Sequence, residues 1–119
     1  GSGDLAGAFA PKHERIIHAV KGNPKLVRRA ADVLTGRDKQ DSEHPMEKPR
    51  GLLRQLIETV TQPGDTVVDP FFGTGNSLVE AYALGREFFG VELESHWHRM
   101  AVEAIHRMAE ERCKRDLED

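Results

Sequence analysis

The chain has 119 residues, 38% of them hydrophobic, and a formal net charge of -3, which suits one small domain with a modest core and excludes a general polycation. It holds no run of about 18 apolar residues and opens on nothing like a charged and apolar leader, so the expectation is a cytoplasmic protein with no membrane partner. The single cysteine, Cys113, cannot form an internal disulfide, in keeping with a reducing compartment.

Residues 1–3, Gly-Ser-Gly, read as a cloning remnant. Residues 4–43 form a first region. There "RIIHAV" (Arg15 to Val20) is short, rich in β-branched residues and bounded by Gly22-Asn23-Pro24, the pattern of a strand ending in a turn. Asn23 then offers an N-cap and Pro24 a first helical position, and Leu26, Val27, Ala30, Val33 and Leu34 form a helix-like stripe that Gly36 stops. "RDKQDSEH" (Arg37 to His44) has no apolar residue and reads as an exposed loop. Charge is uneven along the chain: residues 11–50 hold ten Lys/Arg against six Asp/Glu, while residues 51–119 hold seven against thirteen. A basic front half could face phosphates, or could be an ordinary solvated surface.

Residues 44–119 are patterned more sharply. Pro49 starts a helix whose Leu52, Leu53, Leu56, Ile57 and Val60 share a face, and "QPGD" (Gln62 to Asp65) ends it. "TVVDPF" follows as a strand buried on both faces, because Val67 and Val68 are adjacent and apolar. Then come the glycines of "DPFFGTGNS" (Asp69 to Ser77), a helix over about Ser77 to Leu84, and Gly85 as its C-cap. "REFFGVE" (Arg86 to Glu92) is another strand, and Ser95 can cap a last helix with Trp97, Met100, Ala101, Ala104, Ile105 and Met108 on its core face. This order describes a right-handed βαβ unit of a parallel sheet. With three strands in all, the sheet is incomplete.

A glycine loop between a strand and a helix brings backbone N–H groups close to a ligand. A nucleoside-triphosphate loop needs lysine after its last glycine, but Asn76 follows Gly75 here. A dinucleotide loop needs a small residue where Leu78 stands, so this reading, and with it an oxidoreductase fragment, is disfavoured. S-adenosylmethionine carries no phosphate and needs close backbone approach plus an acid for its ribose. Glu92, about twenty residues beyond Gly73 at the end of the next strand, suits that task, or is a plain surface glutamate. Asp69 can sit near the methionine part, bond the loop backbone, or do both.

These residues resemble the permuted DNA amino-methyltransferases, which methylate the exocyclic nitrogen of adenine or cytosine. His44, Pro45, Lys48 and Pro49 match a His-Pro-x-x-Lys-Pro signature; Asp69, Pro70, Phe71, Gly73 and Gly75 match Asp-Pro-Phe-x-Gly-x-Gly; Gly90 and Glu92 match a Gly-x-Glu strand end. Three ordered signatures over residues 44–105 are far more specific than one Gly-x-Gly. The chain departs from the family at Met46 and Asn76, where members often carry threonine.

The resemblance implies a Rossmann-like α/β methyltransferase fold with S-adenosyl-L-methionine as cofactor. Its site residues would be His44, Pro45, Lys48, Asp69, Phe71, Phe72, Gly73, Thr74, Gly75, Asn76 and Glu92. Lys48 could equally be structural, bonding backbone carbonyls. The implied partner is double-stranded DNA with a flipped target base, as in DNA methylation for restriction-modification. The family's catalytic tetrapeptide, Asp/Asn/Ser-Pro-Pro-aromatic, does not occur in these 119 residues. No catalytic residue is therefore assigned, and residues 4–43 read as part of the catalytic half. Two readings stay open: the cofactor-binding part of such an enzyme, or a non-catalytic module that pairs with a second chain or segment carrying the tetrapeptide. The histidines show no metal-ligand spacing, so no metal is expected.

Overall fold

A computed structural model of the chain describes residues 13–35 and 48–119. Its elements are α1 (Arg50–Val60), β1 (Thr66–Asp69), α2 (Asn76–Ala83), β2 (Glu87–Gly90) and α3 (Ser95–Glu118). This is the order expected for residues 44–119.

Helix α1 begins where Pro49 cannot donate, and the Pro49 carbonyl accepts from the N–H groups of Leu52 and Leu53 at 3.1 and 3.2 Å. It buries Ile57 and leaves Leu52, Leu53 and Leu56 half-buried. At its end Thr61 returns both its N–H and its hydroxyl to the Ile57 carbonyl, at 3.0 and 2.6 Å. The turn into β1 closes on itself: Asp65 Oδ2 accepts from Gln62 N–H at 2.8 Å, and Gly64 supplies φ 92°.

The two strands pair in parallel, with Thr66 against Glu87, Val67 against Phe88, Val68 against Phe89 and Asp69 against Gly90. Their amino ends are joined by Gly64 N–H to the Gly85 carbonyl and Glu87 N–H to the Asp65 carbonyl, both 2.9 Å. Arg86 lies under this junction, 9% exposed. Its guanidinium donates to Thr61 Oγ1, the Thr61 carbonyl and the Leu84 carbonyl at 3.0, 2.8 and 2.7 Å. Thr61 and Leu84 are the C-cap residues of α1 and α2, so one buried cation answers the partial negative charge of two helix ends.

Helices α2 and α3 cover one face of the sheet. Phe72, Leu78 and Ala101 form the central cluster, with Phe88 and Ile105 packed against it. Leu78 fits so close to the strand because the small residue is on β2 rather than on the helix: a Cβ at Gly90 would lie 2.6 Å from Phe72 Cδ1 and 2.8 Å from Leu78 Cδ1. On the edge of the core, Arg50 Nε meets the buried carboxylate of Glu80 at 2.7 Å, joining α1 to α2.

Several expectations need correction. Residues 15–20 form no strand and residues 24–34 no helix; Ile17 is 92% exposed, Leu26 52% and Val33 74%. A strand needs a neighbour for its ladder and a short helix needs a surface for its apolar stripe, and this stretch has neither among the described residues. Val27 N–H to the Thr59 carbonyl (3.0 Å) and Arg28 to Glu58 (2.8 Å) tie it to the rest, with Lys48 to Glu14 (2.6 Å) just before it. Strand β1 is half-buried on one face and exposed on the other, and it and β2 are each shorter than expected; Val68, Phe89 and Val91 remain 62%, 63% and 51% exposed. The sheet of the described residues has two strands, not three. Finally, Ser95 is the first residue of α3, and the N-cap position falls on Glu94, which makes no side-chain capping bond. The exposed loop expected at 37–44 lies outside the described residues.

Candidate cofactor loop at the strand ends

The segment between β1 and α2 turns sharply at two glycines in the left-handed region, Gly73 at φ 56° and Gly75 at φ 87°. Gly75 is also where the loop meets α3. A Cβ there would come within 2.5 Å of the Ala101 Cβ, and Ala101 is itself 1% exposed. Phe72 anchors the turn by its backbone as well as its ring: it accepts from Gly75 N–H at 2.9 Å and donates to the Val91 carbonyl at 3.2 Å. Its ring lies in the core, with the His98 ring at 5.7 Å. Phe71, the next residue back, is 87% exposed.

Two carboxylates hold the loop, one from each strand end. Asp69, the last residue of β1, accepts from Phe71 N–H through Oδ1 at 3.0 Å. Through Oδ2 it accepts from the Ser77 hydroxyl at 2.5 Å. Glu92, two residues past β2, accepts from Gly73 N–H through Oε2 at 2.7 Å and from Glu94 N–H through Oε1 at 3.2 Å. Each pair of bonds uses two of the roughly four acceptor positions of a carboxylate.

Of the residues expected at the site, Asp69, Phe71, Phe72, Gly73, Thr74, Gly75, Asn76 and Glu92 fall in or beside this loop. His44 and Pro45 lie outside the described residues. Lys48 is drawn in by its backbone, not its charge: its carbonyl accepts from Asn76 Nδ2 at 3.3 Å, while its ammonium turns away to Glu14 at 2.6 Å. That hydrogen bond, reinforced by the lysine's charge, holds the Glu14 carboxyl below its ordinary value of 4.5. Thr74 and Asn76 also line a shallow groove of about 340 Å³ with Arg50, Val79, Ala104, Arg107, Met108 and Glu111. None of Asp69, Phe71 or Glu92 lines that groove, so the carboxylates and the groove are separate features.

Two contributors were not singled out in the sequence. Ser77 is 8% exposed and ties helix to strand end; the one available signal is a hydroxyl residue directly after the loop. Gly90 matches a motif in the sequence, and its role in admitting Phe72 and Leu78 emerges only in three dimensions.

Two parallel strands joined through a helix, a glycine loop at the carboxyl end of the first and an acid at the end of the second define a Rossmann-like α/β cofactor-binding fold. The chain belongs to the DNA methylase family, whose N6/N4 methyltransferase model matches residues 4–103. Among curated relatives, Escherichia coli (strain K12) YubD, which bears a methylase name, is 37% identical over 95 residues, covering 79% of this chain and 42% of YubD. DNA adenine methyltransferase YhdJ of the same organism is 40% identical over 75 residues, covering 60% of this chain and 26% of YhdJ. Among solved structures, that of the M1.HpyAVI–SAM complex is similar with a TM-score of 0.54 at 29% identity, covering 61% of this chain and 36% of that one. The chain thus spans less than half the length of each of these proteins.

Proposed function

We propose that the chain is the S-adenosylmethionine-binding portion of a DNA methyltransferase acting on an exocyclic amine of adenine or cytosine. The observation that carries this reading is the convergence of two strand-end carboxylates, Asp69 and Glu92, on the N–H groups of one glycine loop. Family membership and the likeness to a protein named a DNA adenine methyltransferase support it further.

The donor set fits this cofactor better than a phosphate-bearing one. A phosphate at the loop would face two carboxylates, and the nearby Lys48 ammonium is engaged by Glu14. The same carboxylates favour a ligand rich in hydroxyl and ammonium donors. S-adenosylmethionine, when bound, supplies a methyl group activated by its sulfonium centre. In this proposal Glu92 accepts the ribose hydroxyls and Asp69 lies by the methionine part. Gly73, Thr74, Gly75 and Asn76 give the backbone approach, Phe71 gives apolar cover, and Phe72 anchors the turn. Lys48 acts through its carbonyl on Asn76, and His44 and Pro45 belong to the segment before it. Residues 44–119 are then the cofactor-binding unit and residues 4–43 a part of the catalytic half.

The target base, flipped out of duplex DNA, is handled by the complete enzyme, inside the cell and in the setting of restriction-modification. A second reading is favoured by the open sheet face at Val68, Phe89 and Val91. Parallel sheets are covered on both faces, so a second segment or chain, bearing the Asp-Pro-Pro-aromatic motif, would complete this one. Radiolabelled S-adenosylmethionine and duplex DNA test both points. The 119 residues alone should retain the cofactor without methylating DNA. Robust methylation by the chain alone would overturn the division of labour proposed here.

A further inference from the structure

We infer that Ser77 is a positioning residue for the cofactor site, acting through Asp69; this rests on the cofactor reading above. Its hydroxyl is buried, 8% of the residue being exposed, and it donates to Asp69 Oδ2, a hydrogen bond to a carboxylate acceptor. Asp69 ends β1 and Ser77 is the second residue of α2, so this bond closes the loop at its two ends. The other oxygen of Asp69 takes Phe71 N–H at 3.0 Å. The carboxylate is thus fixed at both oxygens, and its plane is set before a ligand arrives. Glu92 at the other strand end is fixed in the same two-bond manner, by the Gly73 and Glu94 N–H groups. Asp69 draws one of its two donors from a helix side chain. Without the Ser77 hydroxyl, Oδ2 loses its buried donor and the carboxylate can swing out of register.

The test is calorimetric titration of the 119-residue chain with S-adenosylmethionine, at a temperature where circular dichroism shows every variant folded. Ser77→Ala should weaken binding about tenfold, as expected for loss of one hydrogen bond to a charged group. Ser77→Thr, which keeps the hydroxyl, should stay within about threefold of the parent. In an Asp69→Asn background the Ser77→Ala loss should shrink, because the two residues act as one unit. An unchanged affinity in Ser77→Ala, a loss that is undiminished in Asp69→Asn, or a Ser77→Thr variant as weak as Ser77→Ala would each overturn the inference. Where Asp69→Asn binds too weakly to compare, the threonine variant decides. Absence of binding by the parent chain itself would count against the cofactor reading, not against the pairing of Ser77 with Asp69.

Discussion

The backbone N–H of Gly73 donates to Glu92 Oε2 at 2.7 Å, across the carboxyl ends of the two strands. The acid expected to meet a ribose therefore also holds the loop on which the cofactor would lie. One consequence can be read without any ligand. Replacing Glu92 by alanine removes an ionised acceptor worth about 1.5–3 kcal/mol, so hydrogen exchange at the Gly73 amide should speed by about one to two orders of magnitude. Exchange unchanged from the parent chain would show that the loop keeps its shape by other means.

The glycines separate packing from backbone strain. Gly75 has φ 87° and faces Ala101 at 2.5 Å, whereas Gly64 has φ 92° with nothing within 4 Å. Gly64→Ala should cost only the left-handed strain of about 1–2 kcal/mol. Gly75→Ala should cost about 1–3 kcal/mol more through overpacking, and Gly90→Ala, crowded by Phe72 and Leu78, a similar overpacking cost. Urea unfolding of the three variants gives the ranking, and equal losses at Gly64 and Gly75 would contradict it.

Arg86 holds two helix ends and one strand entry from a buried position, through three neutral oxygens. Arg86→Met removes the three donors that these oxygens accept from and should destabilise by about 2–3 kcal/mol. Arg86→Lys should recover only a minor part, because an ammonium lacks the planar fork that reaches Thr61 and Leu84 together. Thermal unfolding measures both.

Most of this architecture was legible in the sequence where local signals agree with a surface to pack on. Pro49 ahead of a leucine face, Gly64 after Pro63, and Gly85 between helix and strand each act within a few residues, and α1, β1, α2, β2 and α3 followed in order. Arg15 to Val20 and Pro24 to Leu34 show what such signals lack. Their β-branched run and apolar stripe are real, yet Ile17 and Val33 remain exposed because nothing described covers them. At the loop, the glycines and both carboxylates were legible as a motif. The Ser77 bond and the fit of Gly90 against Leu78 were not, because they join residues whose closeness exists only after folding.

The ion pair of Glu14 with Lys48 carries an acid dependence. Lys48 holds the Glu14 carboxyl below its ordinary 4.5. A depressed value means that the tie contributes above the unfolded carboxylate range and is lost as pH falls through the lowered value. Carboxyl carbon shifts of Glu14 followed by NMR should therefore titrate below 4.5 in the parent chain and return toward the ordinary value in Lys48→Met. A parent titration already at the ordinary value would remove this contact from the account.

The central claim is that the Asp69 and Glu92 loop binds S-adenosylmethionine. Calorimetric titration of the 119-residue chain with that cofactor, beside its Glu92→Ala variant, tests it most directly. The account predicts saturable heat for the parent and an affinity lower by at least about tenfold for the variant. No heat from the parent, with or without DNA present, or an affinity that Glu92→Ala leaves untouched, would contradict it.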